Sequence, residues 1–165
     1  MAIVTLQGNE CNTNGDMPAI GSQAPDFVLA DGNLKNVSLN EYEGKKKIIY
    51  TVPSLDTGTC QTSTKKFNEH VASRDDVVML IVSADLPFAM ARFCGIEKLT
   101  NVIPLSMMRS RKFAKDYGVL LNDGPLAGII TRSLIVLDES NNVLHTELVS
   151  EISDEPDYDK ALNLL

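Results

Sequence analysis

The chain has 165 residues, 44% of them hydrophobic and 22% charged, and a formal net charge of −7. That length suits one domain able to bury a full core without staples, and residues 1–165 are read as a single domain. The negative balance argues against a general affinity for nucleic acid or anionic membrane surfaces, and no apolar run approaches the roughly 20 residues needed to span a bilayer. Met1 to Leu6 has neither the basic start nor the length of a secretory signal, so the expected compartment is the cytoplasm, where persistent disulfides are rare. Three cysteines, Cys11, Cys60 and Cys94, leave room for one working pair and a bystander.

In chain order, Ile3 to Gln7 and Glu10 to Thr13 flank Gly8-Asn9, a pair suited to the positive φ angles of a tight hairpin. Cys11 falls on the second arm and reads as the bystander. Asn14 to Pro25 is loop. Asp26 to Ala30 is a short strand turned by Asp31-Gly32-Asn33. Ser38 and Glu41 have capping-box spacing for a short helix that Gly44 ends. Lys45-Lys46-Lys47 reads as a solvated lead-in to the apolar strand Ile48 to Val52. No Gly-rich loop surrounds these lysines to make a phosphate site.

Pro53 stops that strand, and a helix is expected from about Thr59 to about Ser73. Val77 to Ser83 is apolar without alternation, as in a central strand covered on both faces. A second helix opens at Ala84-Asp85-Leu86-Pro87 and carries Phe88, Ala91, Arg92, Phe93 and Cys94. Val102 to Leu105 is a short strand that Pro104 demotes toward an edge or a strand end. Arg109 to Tyr117 reads as a basic helix, Leu120 to Gly128 as loop, and Ile129 to Leu137 as strand. Glu139 to Asn142 turns into Val143 to Val149, and Asp154-Glu155-Pro156-Asp157 starts a last helix. The alternating β-α order gives parallel strands early and an antiparallel hairpin late. The expectation is an α/β protein with a mixed central β-sheet flanked by helices, plus an N-terminal β-hairpin.

Cys60 is the residue with the clearest chemistry. It is placed in the first turn of a helix that follows a strand and a tight loop. Free N–H groups and the positive end of the helix dipole there favour thiolate over thiol. A small buried core residue is the bland alternative. Cys94 stands beside Phe93 on an apolar helix face, so a core role and a role as partner of Cys60 both stay open. Arg132 lies in an apolar strand. It requires a carboxylate, an anion or a thiolate nearby, and a salt bridge and a functional charge are equally compatible with that.

Pro53-x-x-x-Thr57-x-x-Cys60 resembles the P-x-x-x-T-x-x-C signature of peroxiredoxins. Pro53 to Gly58, Ser83 to Ala89, Arg92-Phe93-Cys94-Gly95 and Asp154 to Tyr158 narrow the resemblance to the bacterial thiol peroxidases, an atypical 2-Cys subfamily. The likeness covers nearly the whole chain, and Cys11 matches no catalytic position. The resemblance implies a thioredoxin-like fold, with Cys60 as peroxidatic and Cys94 as resolving cysteine. Thr57, Arg132 and Pro53 then match active-site positions. It also implies hydrogen peroxide and alkyl or lipid hydroperoxides as substrates, thioredoxin as reductant, and a homodimer.

In that chemistry the Cys60 thiolate becomes a sulfenic acid, the Cys94 thiolate displaces it to form a disulfide, and an external dithiol reduces the pair. Thr57, Arg132 and backbone N–H groups would stabilise the charge that develops on oxygen. Both cysteines fall in helices, so local unwinding is expected before the disulfide forms. Rival readings fit less well. Lys66 stands where a thiol phosphatase needs arginine, and His70 is too far along the helix to serve a cysteine protease. Gln61-Thr62-Ser63 breaks a C-x-x-C reductase pattern. No cluster has metal-ligand spacing, so neither metal nor cofactor is expected. A redox sensor or binding module that passes its disulfide to a partner protein is the alternative from a different class.

Overall fold

The structure, a computed structural model, describes residues 1–165. Its elements are β1 (Ile3–Leu6), β2 (Asn9–Asn12), β3 (Val28–Ala30), β4 (Asn36–Ser38), β5 (Lys46–Thr51), α1 (Gly58–Val71), β6 (Val77–Ser83), α2 (Pro87–Ile96), β7 (Ile103–Ser106), α3 (Lys112–Asp116), β8 (Ser133–Leu137), β9 (Val143–Leu148) and α4 (Tyr158–Leu162). β1 and β2 form a separate hairpin. The other seven strands make one sheet in the order β4-β3-β7-β6-β5-β8-β9. β5, β6 and β7 are parallel, whereas β8, β9, β3 and β4 pair antiparallel. This is the mixed sheet, with helices and an N-terminal hairpin, that the sequence leads one to expect.

Because strand side chains alternate, the sheet feeds two cores. Ile48, Tyr50, Met79, Ile81, Leu134 and Val136 face α1, α2 and α4 and pack with Phe67, Met90 and Ala161. Ile49, Leu80, Val82, Ile135 and Leu137 face the other way, toward Phe27, Phe113 and Tyr117. Cys60 lies in the first core and Cys94 packs against it. No helix is long and apolar enough to cross a membrane.

Several local expectations are corrected. Lys47 is not solvated: it is fully buried, and its ammonium donates to the Asp138 carbonyl at 3.1 Å and the Glu139 carbonyl at 3.3 Å. Burial lowers its pKa, against the pull of Asp138 and Glu139. The hairpin turn sits one residue early, with Gln7 at φ 51° and Gly8 at φ 80°. The capping-box segment is a 3-10 turn over Leu39–Tyr42, with Glu41 accepting from the Ser38 N–H at 3.1 Å, and β4 precedes it unforeseen.

Pro104 does not place β7 at an edge. β3 meets β7 only at Ala30 opposite Ser106, beyond the proline, so that flank requires no N–H from Pro104. The basic helix is shortened to α3. Ahead of it, Arg109 donates to the Leu34 carbonyl at 2.9 Å and Arg111 to the Gly128 carbonyl at 2.9 Å. Gly118 closes α3 at φ +67°, where a Cβ would lie 2.2 Å from the Asp16 carbonyl oxygen. Arg132 stands just ahead of β8 rather than inside a strand.

Candidate active site

β5 delivers the chain to the site. The Val52 N–H still pairs with the Val82 carbonyl at 3.0 Å, but Pro53, buried and without an N–H, ends the ladder. Ser54 to Thr57 then crosses to α1. Thr57 occupies the N-cap with extended backbone, φ −113° and ψ 148°. Its hydroxyl donates to the Ser54 carbonyl at 3.1 Å, and its carbonyl accepts from the Gln61 N–H at 3.0 Å. No hydrogen bond joins Thr57 to Cys60, which is the third residue of the helix and fully buried. The N–H groups of Gly58, Thr59 and Cys60 have no protein acceptor. With the helix dipole they form a place where developing negative charge is favoured.

Arg132 closes the site from the other side. Its Nη2 donates to Cys60 Sγ at 3.2 Å, its Nη1 to the Tyr50 hydroxyl oxygen at 2.6 Å, and its Nε to the Ile152 carbonyl at 2.9 Å. It is 2% exposed and forms no salt bridge. Of the two readings open from sequence, the structural ion pair is therefore not what is found; the charge faces a sulfur. Strand parity explains the direction, because Arg132 continues the series Leu134 and Val136 on the α1 side of the sheet.

Its backbone is clamped. Thr51 Oγ1 donates to the Thr131 carbonyl at 2.7 Å and lies 2.6 Å from Ser133 Oγ, while the Val149 N–H reaches the Arg132 carbonyl at 3.1 Å. Tyr50 is fully buried, and burial pushes its phenol up to about 12 against the pull of Arg132. It is therefore a neutral hydroxyl that holds the guanidinium plane without competing for its charge.

Cys94 is different. It is half-buried on α2, its sulfur has no hydrogen-bond partner, and burial pushes its thiol up to about 11. The two sulfurs are not joined; all three cysteines are free. Between the entry to α1 and the face of α2 lies a groove of about 430 Å³, lined by Leu55, Gln61, Asp85, Ala89, Arg92 and Phe93 among others. Cys11 is buried elsewhere, with Val4, Leu121 and Ile152.

The start of α1 is a weak helix. Gly and Thr each cost roughly 0.5–1 kcal/mol relative to Ala in a helix interior, and Gly58, Thr59, Thr62, Ser63 and Thr64 crowd its first two turns. The hydroxyls of Thr62, Ser63 and Thr64 bond back to the carbonyls of Gly58, Thr59 and Cys60. Such back-bonding further favours bending. The entry is held from outside instead, by Thr59 Oγ1 on the Ser153 carbonyl at 2.9 Å and by Asp85 on the preceding loop.

Sequence reasoning missed Tyr50, Asp85 and the Ile152 carbonyl. Tyr50 left a usable signal: a phenol in a fully buried strand requires a polar partner. Asp85 and Ile152 act through contacts 31 and 20 residues away along the chain, which no local pattern encodes.

A family model described as Redoxin matches residues 19–162. A thiol peroxidase of Corynebacterium glutamicum is 46% identical over 165 residues, covering 100% of this chain and 99% of the relative. Among solved structures, a peroxiredoxin-like protein from Aquifex aeolicus superposes with a TM-score of 0.94 at 39% identity, covering 99% of this chain and 95% of the other. A thiol peroxidase from Chromobacterium violaceum superposes with a TM-score of 0.91 at 27% identity, covering 98% and 94%.

Proposed function

Because the chain belongs to the redoxin family, and within it to the thiol peroxidases of the peroxiredoxin group, we propose that Cys60 is its peroxidatic sulfur and that Arg132, Thr57 and Pro53 serve that sulfur. The observation that carries this reading is the 3.2 Å contact from the Arg132 guanidinium to Cys60 Sγ at a helix entrance. The sulfur attacks the terminal oxygen of a hydroperoxide. A sulfur–oxygen bond forms, the oxygen–oxygen bond breaks, and the departing alkoxide or hydroxide takes a proton from water. Cys60 is left as a sulfenic acid, oxidised by two electrons.

The groups at hand suit the transition state. Negative charge grows on the leaving oxygen, and fixed donors facing it lower the barrier without reorganising. Arg132 and the free N–H groups of the first turn are such donors. Thr57 sets the helix entry through its cap, and its hydroxyl, on the exposed side, is free to turn from Ser54 toward a bound peroxide. Pro53 is buried and donates nothing, so its part is to shape and dry the pocket.

Resolution follows through Cys94. Its thiolate attacks the Cys60 sulfenic sulfur, a sulfur–sulfur bond forms, and hydroxide leaves. A thioredoxin then reduces the disulfide by exchange. Both hydrogen peroxide and organic hydroperoxides are proposed substrates. The groove of about 430 Å³, with Leu55, Ala89 and Phe93 in its wall, offers apolar surface to an alkyl chain. Residues 1–165 act as one thioredoxin-like domain in the cytoplasm. A homodimer is proposed, with the exposed Leu86, Phe88 and Ile96 of the α2 region as apolar surface for a second copy.

The experiment is turnover. With thioredoxin and its reductase supplied, many equivalents of hydroperoxide are consumed per protein and the activity vanishes in Cys60→Ser. Consumption that stops after one equivalent would support the sensor reading instead.

A further inference from the structure

We propose that Asp85 is a positioning residue, a clasp that ties the loop leading to Cys60 to the base of the helix carrying Cys94 and so governs when the two sulfurs can meet. The inference rests on the Cys60–Cys94 disulfide proposed above. The Asp85 carboxylate accepts from Ser54 Oγ at 2.7 Å and from the Leu55 N–H at 2.7 Å on the loop side. On its own side it accepts from Ser83 Oγ at 2.9 Å, its N–H donates back to Ser83 Oγ at 3.0 Å, and its carbonyl accepts from Ser106 Oγ.

No cation pairs with this carboxylate. Its charge is met by hydroxyl and amide donors alone, and two of the three bonds to the carboxylate come from the loop. Asp85 stands two residues before Pro87, the first residue of α2. The loop it grips ends at Thr57, the cap of α1. One side chain therefore joins the two segments that must separate and re-approach for disulfide formation.

The arrangement has a consequence for rate. The first turns of α1 are intrinsically weak, so bonds from outside hold Cys60 against Arg132 while peroxide reacts. Those same bonds oppose the unwinding that would bring Cys60 sulfenic acid to Cys94. In that step the sulfur–sulfur bond forms, the sulfur–oxygen bond breaks, and hydroxide leaves. Slower resolution lengthens the life of the sulfenic acid and exposes it to a second peroxide.

The test is rapid-quench thiol trapping with mass spectrometry on Asp85→Asn and on Ser54→Ala, which loosens only the loop side. Sulfenic acid formation, measured in a Cys94→Ser background, is expected to slow several-fold. Conversion of sulfenic acid to the Cys60–Cys94 disulfide, measured with Cys94 present, is expected to quicken by up to about tenfold, as for loss of a charge-assisted hydrogen bond. The overoxidised fraction per turnover is expected to fall accordingly. A merely structural role would leave the two rates unchanged or lower both, and either result overturns the clasp. Should Asp85→Asn not fold, Ser54→Ala decides alone, with the same opposite shifts expected. Absence of any Cys60–Cys94 disulfide in the unsubstituted protein would overturn the underlying reading and the clasp with it. Its presence with unchanged partition overturns the clasp only.

Discussion

Cys60 and Cys94 are the same residue type packed on the same core, yet their surroundings differ in every respect that matters for reactivity. Cys60 is wholly buried, touches a guanidinium, and sits at a helix entrance with unpartnered N–H groups. Cys94 is half-buried in the last turn of a helix, has no polar partner, and has its thiol pushed up to about 11 by burial alone. One sulfur meets a charge as folded; the other meets none, and burial favours its protonated form. The order of the proposed reaction is thus written into two local environments rather than into the sulfurs themselves.

Substitutions can break this contrast at either end. Cys60→Ser removes the reacting atom and is expected to abolish hydroperoxide reduction, measured by peroxide consumption. Arg132→Lys keeps a charge but loses the planar fork that reaches Cys60, Tyr50 and Ile152 together. It is expected to slow sulfenic acid formation by about 10²-fold, the scale of losing a preorganised donor, and a kinetically silent Arg132→Lys would return the arginine to a structural role. Cys94→Ser leaves the first step intact, so stopped-flow should show one fast turnover, followed by accumulation of sulfenic or overoxidised Cys60. Full thioredoxin-dependent activity in that variant would contradict the resolving assignment. Tyr50→Phe removes one acceptor from Arg132 and is expected to cost several-fold in the first step, as for a single hydrogen bond.

The smallest effect sharpens the Cys94 half. Its pKa in the fold lies above the ordinary thiol value of roughly 8.5, so folding favours the protonated form. That contribution is fully present below about pH 8.5 and is lost as pH rises toward about 11. In Cys60→Ser, alkylation of Cys94 should therefore keep accelerating well above pH ~8.5. A rate that levels there would mean that Cys94 is already solvated.

Much of this was legible in the chain, and the reasons differ by region. Val77 to Val82 is apolar at every position because both sheet faces are covered, and β6, Val77–Ser83, occupies that run. The strand-loop-helix around Cys60 is marked by Pro53 and by the helical spacing of Phe67 and Val71, both of which lie on the buried face of α1. The burial of Lys47 has no sequence signal because its partners are main-chain carbonyls on the β8–β9 turn, invisible to any charge pattern. Arg132 stands out in the sequence as a charge among apolar residues, but only the fold shows that it meets a sulfur and not an acid. Asp85 read as part of a helix opening, because its partners Ser54 and Leu55 belong to a loop 30 residues earlier.

Peptide mapping and intact mass after one equivalent of hydroperoxide test the central claim most directly. The account calls for loss of two hydrogens and a disulfide-linked pair of peptides containing Cys60 and Cys94, with Cys11 still a free thiol. A Cys60 recovered unmodified, or an oxidation confined to another cysteine, would contradict it.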